Sequence, residues 1–288
     1  MRIERVIVAF AISAALLSTA APVVGQGGGG AGTRAVGSRP WPPDHLPDGQ
    51  PDVQGIWSAV SGGSTSLTNP ISGQADFDRK ITGVEPHVPS RVIDPPDGQI
   101  PYQPWAAARQ KQQALDYDRP SRPEHIDTQH RCLISGVPRL YYIVPAFKII
   151  QPPGSIVFIW DEYHAYRVIP LDGHPHVGPN LKLWMGDARG HWEGNTLVVD
   201  TTNLKGARLT YIGDFHSDHA HVVERLTFID ANTMRYEATI DDPTVFTRPW
   251  TLRVAERRRP DDEMWESACY EGARNPDTFL SKTDAEQK

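Results

Sequence analysis

Residues 219–240 read HAHVVERLTFIDANTMRYEATI, and this stretch decides the fold. Polar and apolar side chains alternate from His219 to Ile229, and they alternate again from Met234 to Ile240. Alternation with a period of two is typical of a β-strand that buries one face. The residues between the two runs, Asp230 to Thr233, favour a turn. The stretch therefore predicts two neighbouring strands joined by a tight turn.

The same pattern continues on both sides of this pair of strands. Ser155 to Ile169 alternates and is interpreted as one strand, and Glu193-Gly194-Asn195 is interpreted as a hairpin turn. Because no helix separates the strands, they indicate an antiparallel meander, which forms a barrel or a sandwich. The other strand candidates are Leu181 to Trp192, Thr196 to Thr201, Phe246 to Glu256 and Met264 to Cys269.

The N-terminal part of the chain has a different composition. Residues 1–26 carry two early arginines, then an apolar run, then small residues, which is the order of a secretory signal peptide. The alternative is an uncleaved N-terminal anchor. No later stretch reaches about 18 apolar residues, so we expect a periplasmic or secreted protein without a membrane span in its mature chain.

Residues 27–130 are predicted to form a Pro- and Gly-rich arm that begins with a flexible glycine run, and residues 131–288 to form the β-barrel core. Within the arm, Trp105 to Tyr117 has a helix-forming composition, and Pro120 stops the helix. Asp52 to Trp57 is a strand candidate that joins the barrel. Its Gly-x-Trp pattern resembles the start of lipocalin barrels, although an incidental Trp that plugs one barrel end is the alternative. We expect a lipocalin-like antiparallel barrel with an irregular arm and one short helix.

Charge, cysteine content and missing motifs exclude several classes of protein. The net charge is −6 without a basic tract, which argues against a nucleic-acid partner. Cys132 and Cys269 are an even pair that suggests a disulfide in an oxidising compartment, with two free buried thiols as the alternative. The chain lacks the motifs of serine hydrolases, nucleotide-binding enzymes, zinc proteases and c-type cytochromes.

Glu224 is the most unusual residue of the first strand in the opening stretch. Strand parity places it in a row of apolar residues, while His219, His221 and Arg225 share the other face. A carboxylate on a core-facing row needs a partner or a raised pKa. Arg167 is a candidate partner. The pair is either a structural clamp between two strands or part of an acid/base site.

His219 and His221 can also be interpreted as metal ligands, because two His at i and i+2 on a strand point the same way. The run from Gly213 to Glu224 resembles the first metal motif of cupins, but Glu224 comes too early and falls on the opposite face. The alternative is that either His is exposed or hydrogen-bonded within the fold. We expect no metal and no cofactor.

The remaining site candidates are polar residues near apolar strands. His176 lies in a Pro- and Gly-containing loop and could meet His216 or His221 at one barrel mouth, where such imidazoles carry protons. The alternative is loop histidines without a role. A polar end of an apolar pocket is predicted from Glu162 and His164 with Trp160 and Tyr166, and a wall for a flat ligand from Trp184, Trp192 and Trp250. The alternative for all of these is a place in the core.

Eight segments resemble a large family of exported, mostly uncharacterised bacterial proteins. The resemblance covers residues 50 to 275 and implies a lipocalin-like barrel and the Cys132–Cys269 disulfide, without an established activity. The family usually carries the histidines that correspond to His216 and His221, whereas His219 departs from it. The matching segments are Pro51 to Trp57, Arg131-Cys132, Gly136 to Arg139, His191 to Thr201, His216-Ser217-Asp218 with His221 to Arg225, Ile240 to Pro243, Thr247 to Trp250, and Cys269 with Glu271-Gly272.

These residues predict cofactor-independent acid/base chemistry, of the lyase, hydratase or isomerase kind, on a small apolar or aromatic hydroxylated compound. In this hypothesis His221 or His216 transfers a proton. Glu162 or Glu224 orients the imidazole, and Arg167 or Arg225 stabilises negative charge. A non-catalytic periplasmic binding protein for a small molecule is one alternative, and a His-ligated metal enzyme of cupin-like type is the other. The sequence indicates no oligomeric state.

Overall fold

The computed structural model describes residues 42–60, 66–68, 90–143, 146–161, 165–265 and 267. The predicted signal peptide, Glu162, His164 and Cys269 lie outside these residues, so the predictions about them stay predictions. The described residues form twelve strands, one long helix, one short helix and two 3-10 turns. In chain order these are β1 (Gly55–Ala59), β2 (Val92–Asp94), α1 (Pro104–Asp118), turns at Pro123–His125 and Gln129–Arg131, α2 (Leu140–Ile143), β3 (Phe147–Ile150), β4 (Ser155–Trp160), β5 (Tyr166–Pro170), β6 (Asp187–Glu193), β7 (Thr196–Thr202), β8 (Ala207–Arg208), β9 (Phe215–His216), β10 (His221–Asp230), β11 (Thr233–Asp241) and β12 (Trp250–Arg258).

Nine strands form one antiparallel sheet in the order β5-β4-β3-β1-β12-β11-β10-β7-β6, and β2 pairs with β12 beside this path. The sheet nearly closes, because β6 approaches β5. A Cβ atom added to Gly190 on β6 would lie 2.7 Å from Ile169 Cγ2 on β5, so a glycine is what allows the two edges to lie this close. The predicted all-β, barrel-like fold with one helix besides short turns is confirmed, and the helix has 15 residues.

The opening stretch forms the β10–β11 hairpin, in which His221 pairs with Asp241 and Phe228 with Met234. The row of β10 that contains Glu224 faces the interior and is buried, and the row that contains His221 and Arg225 faces outward. The strand parity predicted for β10 is therefore correct. The side-chain alternation along one strand is sufficient to assign its two faces.

The prediction of one strand from Ser155 to Ile169 is wrong, because the segment folds back as β4 and β5. Phe158 pairs with Arg167 in this hairpin, so both side chains face the interior. A single alternating strand would place Tyr166 on the same face as Phe158, but Tyr166 is 66% exposed on the outside. A reversal of the chain shifts the parity, so the predicted assignment was inverted beyond the turn.

The N-terminal arm contributes a strand to the sheet. The segment predicted as a strand at 52–57 contains β1, which lies between β3 and β12. Trp57 on this strand is fully buried, and its ring packs edge-on against Phe228 at 5.4 Å. Its indole N–H donates to the carbonyl of Val53 at 3.1 Å, which satisfies its polar atom.

Aromatic rings fill the part of the barrel interior near α2. Tyr141 stacks on Tyr236 with ring centroids 4.0 Å apart, and it meets Phe147, Phe158 and Trp160 edge-on at 5.5 to 5.9 Å. This region is a packed core built from several strands and one helix. Of the described residues, none belongs to a helix that is both long and apolar enough to cross a membrane.

Candidate functional site

A surface cleft of about 650 Å³ has helix α1 on one side. The segments on its other side come directly before and after the loop at residues 209–214. None of its lining residues belongs to the nine strands of the barrel sheet. One wall is a row on α1 spaced by four residues, Trp105, Arg109 and Gln113, which places all three on one face of the helix. The other lining residues are Thr128, Lys182, Lys205, Gly206, Ala207, Arg208, Phe215, His216, Ser217 and Asp218.

The second wall is a two-stranded ribbon, in which β8 pairs with β9 and Ala207 lies opposite His216. Helix α1 is fixed against the loop next to this ribbon. Gly213 has a φ of +90°, and a Cβ atom there would lie 2.5 Å from Gln113 Cβ. Only glycine combines that backbone conformation with so close an approach. The side chain of Gln113 also donates to the carbonyl of Gly213 at 3.2 Å, so helix and loop are held together.

Buried carboxylates fix the loop and the residues that follow it. Asp214 accepts hydrogen bonds from the hydroxyls of Tyr102 at 3.0 Å and Thr210 at 2.8 Å. Burial raises the pKa of Asp214, while these two hydrogen bonds oppose the rise. Asp242 accepts from the main-chain N–H of Ser217 at 2.7 Å and from its hydroxyl at 3.1 Å. His216 thus lies between two anchored residues.

His216 is the buried titratable residue of the cleft, with an exposure of 3%. Its Nδ1 lies 2.8 Å from the carbonyl of Ser217, so Nδ1 carries a proton and donates it. Burial lowers the pKa of His216, and the Ser217 carbonyl and Asp242 oppose the change. No described residue forms a hydrogen bond with Nε2. The geometry describes a neutral imidazole whose Nε2 lone pair has no partner in the described chain.

The cleft also gathers positive charge. Four cations and one carboxylate, that of Asp218, line it. Among the described residues, none of the four cations forms an ion pair with a carboxylate. Instead, Lys182 donates to the main-chain carbonyl of Asp218 at 2.6 Å, and the Arg109 guanidinium lies 4.8 Å from the ring centroid of Phe215. Lys205 lies 4.5 Å from the ring of Trp184.

Glu224 and Arg167 form an ion pair inside the barrel. Arg167 donates from its two terminal nitrogens to the two carboxylate oxygens, at 3.0 and 2.5 Å. Thr201 and Tyr236 donate their hydroxyls to the same carboxylate at 3.0 and 2.9 Å. Burial disfavours the Arg167 cation, but Glu224 raises the pKa of Arg167 above its ordinary value. Because four donors occupy the carboxylate, the geometry is that of a structural clamp between strands β5, β7, β10 and β11.

His176 was predicted to meet His216 or His221 at one barrel mouth. His176 and His221 contact the same carboxylate on the outside of the sheet, and His216 does not join them. His176 contacts Asp187 through Nδ1 at 2.9 Å and Asp200 through Nε2 at 2.8 Å, and His221 contacts Asp200 through Nε2 at 3.0 Å. Burial alone would raise the pKa of Asp187. Hydrogen bonds from the main-chain N–H of Val177 and from His176 outweigh burial, so the pKa is lowered. The cluster ties the 171–186 loop to β6, β7 and β10.

The other predicted site residues lie apart from the cleft. Arg225 forms an exposed ion pair with Glu193 at 2.7 Å. His219 precedes β10, is 70% exposed in its side chain and contacts Asp218 at 3.8 Å, so it does not share a site with His221. The described part of the chain contains no group of three or more side chains that could hold a metal ion. Trp160 and Trp250 are buried in the core, while Trp184 and Trp192 are half-buried at its margin.

Most of the cleft was missed by reasoning from the sequence. Lys182, Lys205 and Arg208 come from segments without a recognisable motif, and Trp105 with Arg109 looked like ordinary helix residues. The spacing of four along the helix was the one available signal, but it does not indicate which face meets the ribbon. No protein-family model, curated protein or solved structure matches this chain, so the family resemblance stays a prediction.

Proposed function

We propose that the cleft binds a small apolar or aromatic hydroxylated compound and that His216 transfers a proton on it. The reaction is of the lyase, hydratase or isomerase kind and uses no cofactor. The observation that carries the proposal is the state of His216, a buried imidazole with Nδ1 committed to Ser217 and Nε2 without a described partner.

The lowered pKa of His216 supports a role as a general base. A base must be unprotonated before it can accept a proton, and burial keeps this imidazole neutral at neutral pH. The hydrogen bond to Ser217 fixes the tautomer and so directs the lone pair of Nε2. The cations of the cleft would stabilise the negative charge that develops when a C–H proton is removed.

We further propose that the protein is exported. The order of charged, apolar and small residues in the first 26 positions supports this part of the proposal. The Glu224–Arg167 pair has no role in this proposed proton transfer, because four hydrogen bonds from Arg167, Thr201 and Tyr236 occupy the Glu224 carboxylate.

Isotope exchange tests the proposal without a known product. The protein is incubated in D2O with a panel of small hydroxylated aromatic and alicyclic compounds, and C–H to C–D exchange is followed by proton NMR. His216→Gln is expected to slow exchange by about 100-fold or more, because general-base catalysis contributes roughly that factor. His219→Gln, an exposed change three positions away, is the matched control.

Two outcomes would contradict the role of His216. Exchange that persists in the His216→Gln variant, with folding verified by circular dichroism, removes it as the base. Exchange that is lost on His221→Gln instead moves the proton carrier to the cluster around Asp200. A compound that binds the native protein and is recovered without deuterium supports the alternative, a non-catalytic binding protein.

A further inference from the structure

The electrostatics of the cleft indicate the class of its ligand. The chain as a whole has a net charge of −6, yet four of the residues that line this one cleft are cations and a single one is an acid. Surface cations are ordinarily interspersed with carboxylates. The absence of ion pairs for these four, among the described residues, leaves a local excess of positive charge.

Arg208 is buried, whereas the other three cations of the cleft are exposed. It is nine-tenths buried, its Nη2 donates to the carbonyl of Glu124 at 3.3 Å, and its Nη1 is buried without a partner. Burial is the largest cause that lowers the pKa of Arg208, and the nearby Arg139 lowers it further, although Asp127 opposes both. A second polar atom of the cleft lining, Thr128 Oγ1, is also buried without a partner. Such groups are stabilised by an acceptor that carries negative charge.

Two lysines of the cleft lining, Lys182 and Lys205, come from paired segments of the chain. Leu183 and Leu204 form a bridge between neighbouring segments, and the N–H of Lys205 donates to the carbonyl of Leu183 at 2.8 Å. This pairing places Lys182 and Lys205 on adjacent stretches of chain. Arg208 lies three residues further along the chain from Lys205 and lines the same cleft.

The lining also contains aromatic side chains, and Phe215 lies directly opposite Arg208 in the β8–β9 ribbon. Trp105 is 47% exposed although its indole N–H is held by the carbonyl of Thr244 at 3.1 Å. Its ring lies 6.1 Å from that of Phe215, with the planes tilted by 59°. A large apolar side chain that is fixed and yet exposed beside a cavity is typical of a ligand wall. The cleft therefore places aromatic side chains directly beside cations.

We propose, building on the proposed function, that the ligand is a small aromatic carboxylate, with its ring against Trp105 and Phe215 and its carboxylate among Lys182, Lys205 and Arg208. The carboxylate supplies the missing countercharge, and the ring covers the exposed indole. The proposed ligands therefore carry both a hydroxylated aromatic ring and an anionic carboxylate.

Binding is measured by isothermal titration calorimetry with the exported chain. The probes are benzoate, 4-hydroxybenzoate and 4-hydroxyphenylacetate, each beside its neutral amide, and inorganic phosphate. At least one acid is expected to bind about tenfold or more tightly than its amide at low salt, with the difference shrinking as salt is added. The double variant Lys182→Met/Lys205→Met is expected to weaken the acid roughly tenfold and to leave the amide unchanged.

Lys148→Met is the matched control, because Lys148 is exposed on β3 outside the cleft. Its replacement removes one positive charge, as each of the two cleft substitutions does. The proposal is overturned if no acid binds, if the amides bind as tightly as the acids, or if Lys148→Met has the effect of a cleft lysine. Phosphate binding as tight as that of the best acid also overturns it.

These measurements separate the ligand class from the catalytic role. Acid binding that depends on the lysines, without isotope exchange, supports the ligand class and contradicts proton transfer by His216. Exchange on a neutral compound that requires His216, without acid binding, supports the proposed function and overturns the carboxylate.

Discussion

Removing Arg167 should destabilise the protein strongly, because it would leave a buried charge without a countercharge. Glu224 has an exposure of 0% and receives two of its four hydrogen bonds from Arg167. In Arg167→Met, the carboxylate keeps the hydroxyls of Thr201 and Tyr236 and loses its cation. Breaking a buried ion pair from one side costs about 3–5 kcal/mol. That is a large part of the roughly 5–15 kcal/mol by which a domain is stable.

A double-mutant cycle isolates the contribution of the pair. Glu224→Gln alone should cost a similar ~3–5 kcal/mol, because it leaves the Arg167 guanidinium buried without a carboxylate. The combined variant Arg167→Met/Glu224→Gln removes both charges, and the glutamine amide can still bond the hydroxyls of Thr201 and Tyr236. We expect the combined variant to lose less than about 2 kcal/mol, which gives a coupling energy of at least ~4 kcal/mol.

Urea unfolding, followed in parallel by tryptophan fluorescence and far-ultraviolet circular dichroism, measures these free energies. Arg225→Met is the matched control, because Arg225 lies on the outer face of β10 in an exposed pair with Glu193. Its loss should cost less than about 1 kcal/mol. The reasoning is refuted if Arg167→Met costs no more than Arg225→Met, or if the combined variant loses as much as the two single variants together.

Three further predictions concern the cleft. Burial lowers the native pKa of His216 below 6.5, so the unfolded state binds more protons at pH values between the native and the unfolded pKa. The free energy of unfolding should therefore fall as the pH drops below 6.5, and urea unfolding of His216→Gln should not show this fall. Burial raises the native pKa of Asp214 above 3.8, so this residue stabilises the fold at low pH and loses that contribution as the pH rises through the native pKa. Asp214→Asn should therefore gain stability relative to the native chain as the pH rises over this range. Gly213→Ala should lower the stability measured by thermal unfolding by about 2 kcal/mol or more, because a contact at 2.5 Å with Gln113 is added to the backbone strain. Gly194→Ala is the control: Gly194 has a φ of +57° and open space around it, so the loss should be only about 1 kcal/mol. Equal losses at both glycines would contradict the close approach of helix and loop.

The sheet could be predicted from the sequence because side-chain alternation is a local property. The β10–β11 hairpin shows this, since its buried rows are those that the alternation indicated. The β4–β5 hairpin shows the limit. Residues 161–165 read DEYHA and contain no glycine or proline to mark a turn, so the alternation seemed to continue through it. The error inverted the predicted positions of Tyr166 and Arg167.

The Glu224–Arg167 contact was foreseeable for a thermodynamic reason. A carboxylate in an apolar row requires a partner, and the candidate arginine lay on another strand. The cleft follows from no comparable rule. Its cations come from α1, from the 171–186 loop and from the ribbon, and the approach of these segments depends on tertiary contacts such as that between Gly213 and Gln113. Local patterns do not contain that information.

The division of polar groups between barrel and cleft identifies where ligand binding is favourable. Inside the barrel, four hydrogen bonds occupy the Glu224 carboxylate, Arg167 keeps only Nε without a partner in the described chain, and aromatic rings around Tyr141 pack the nearby space. A ligand there would have to break contacts that already stabilise the fold. In the cleft, Arg208 and His216 each retain a nitrogen without a described partner, so a ligand can supply contacts without breaking any. In the proposed function the barrel is therefore the scaffold, and the helix and ribbon attached to it hold the ligand and the imidazole of His216.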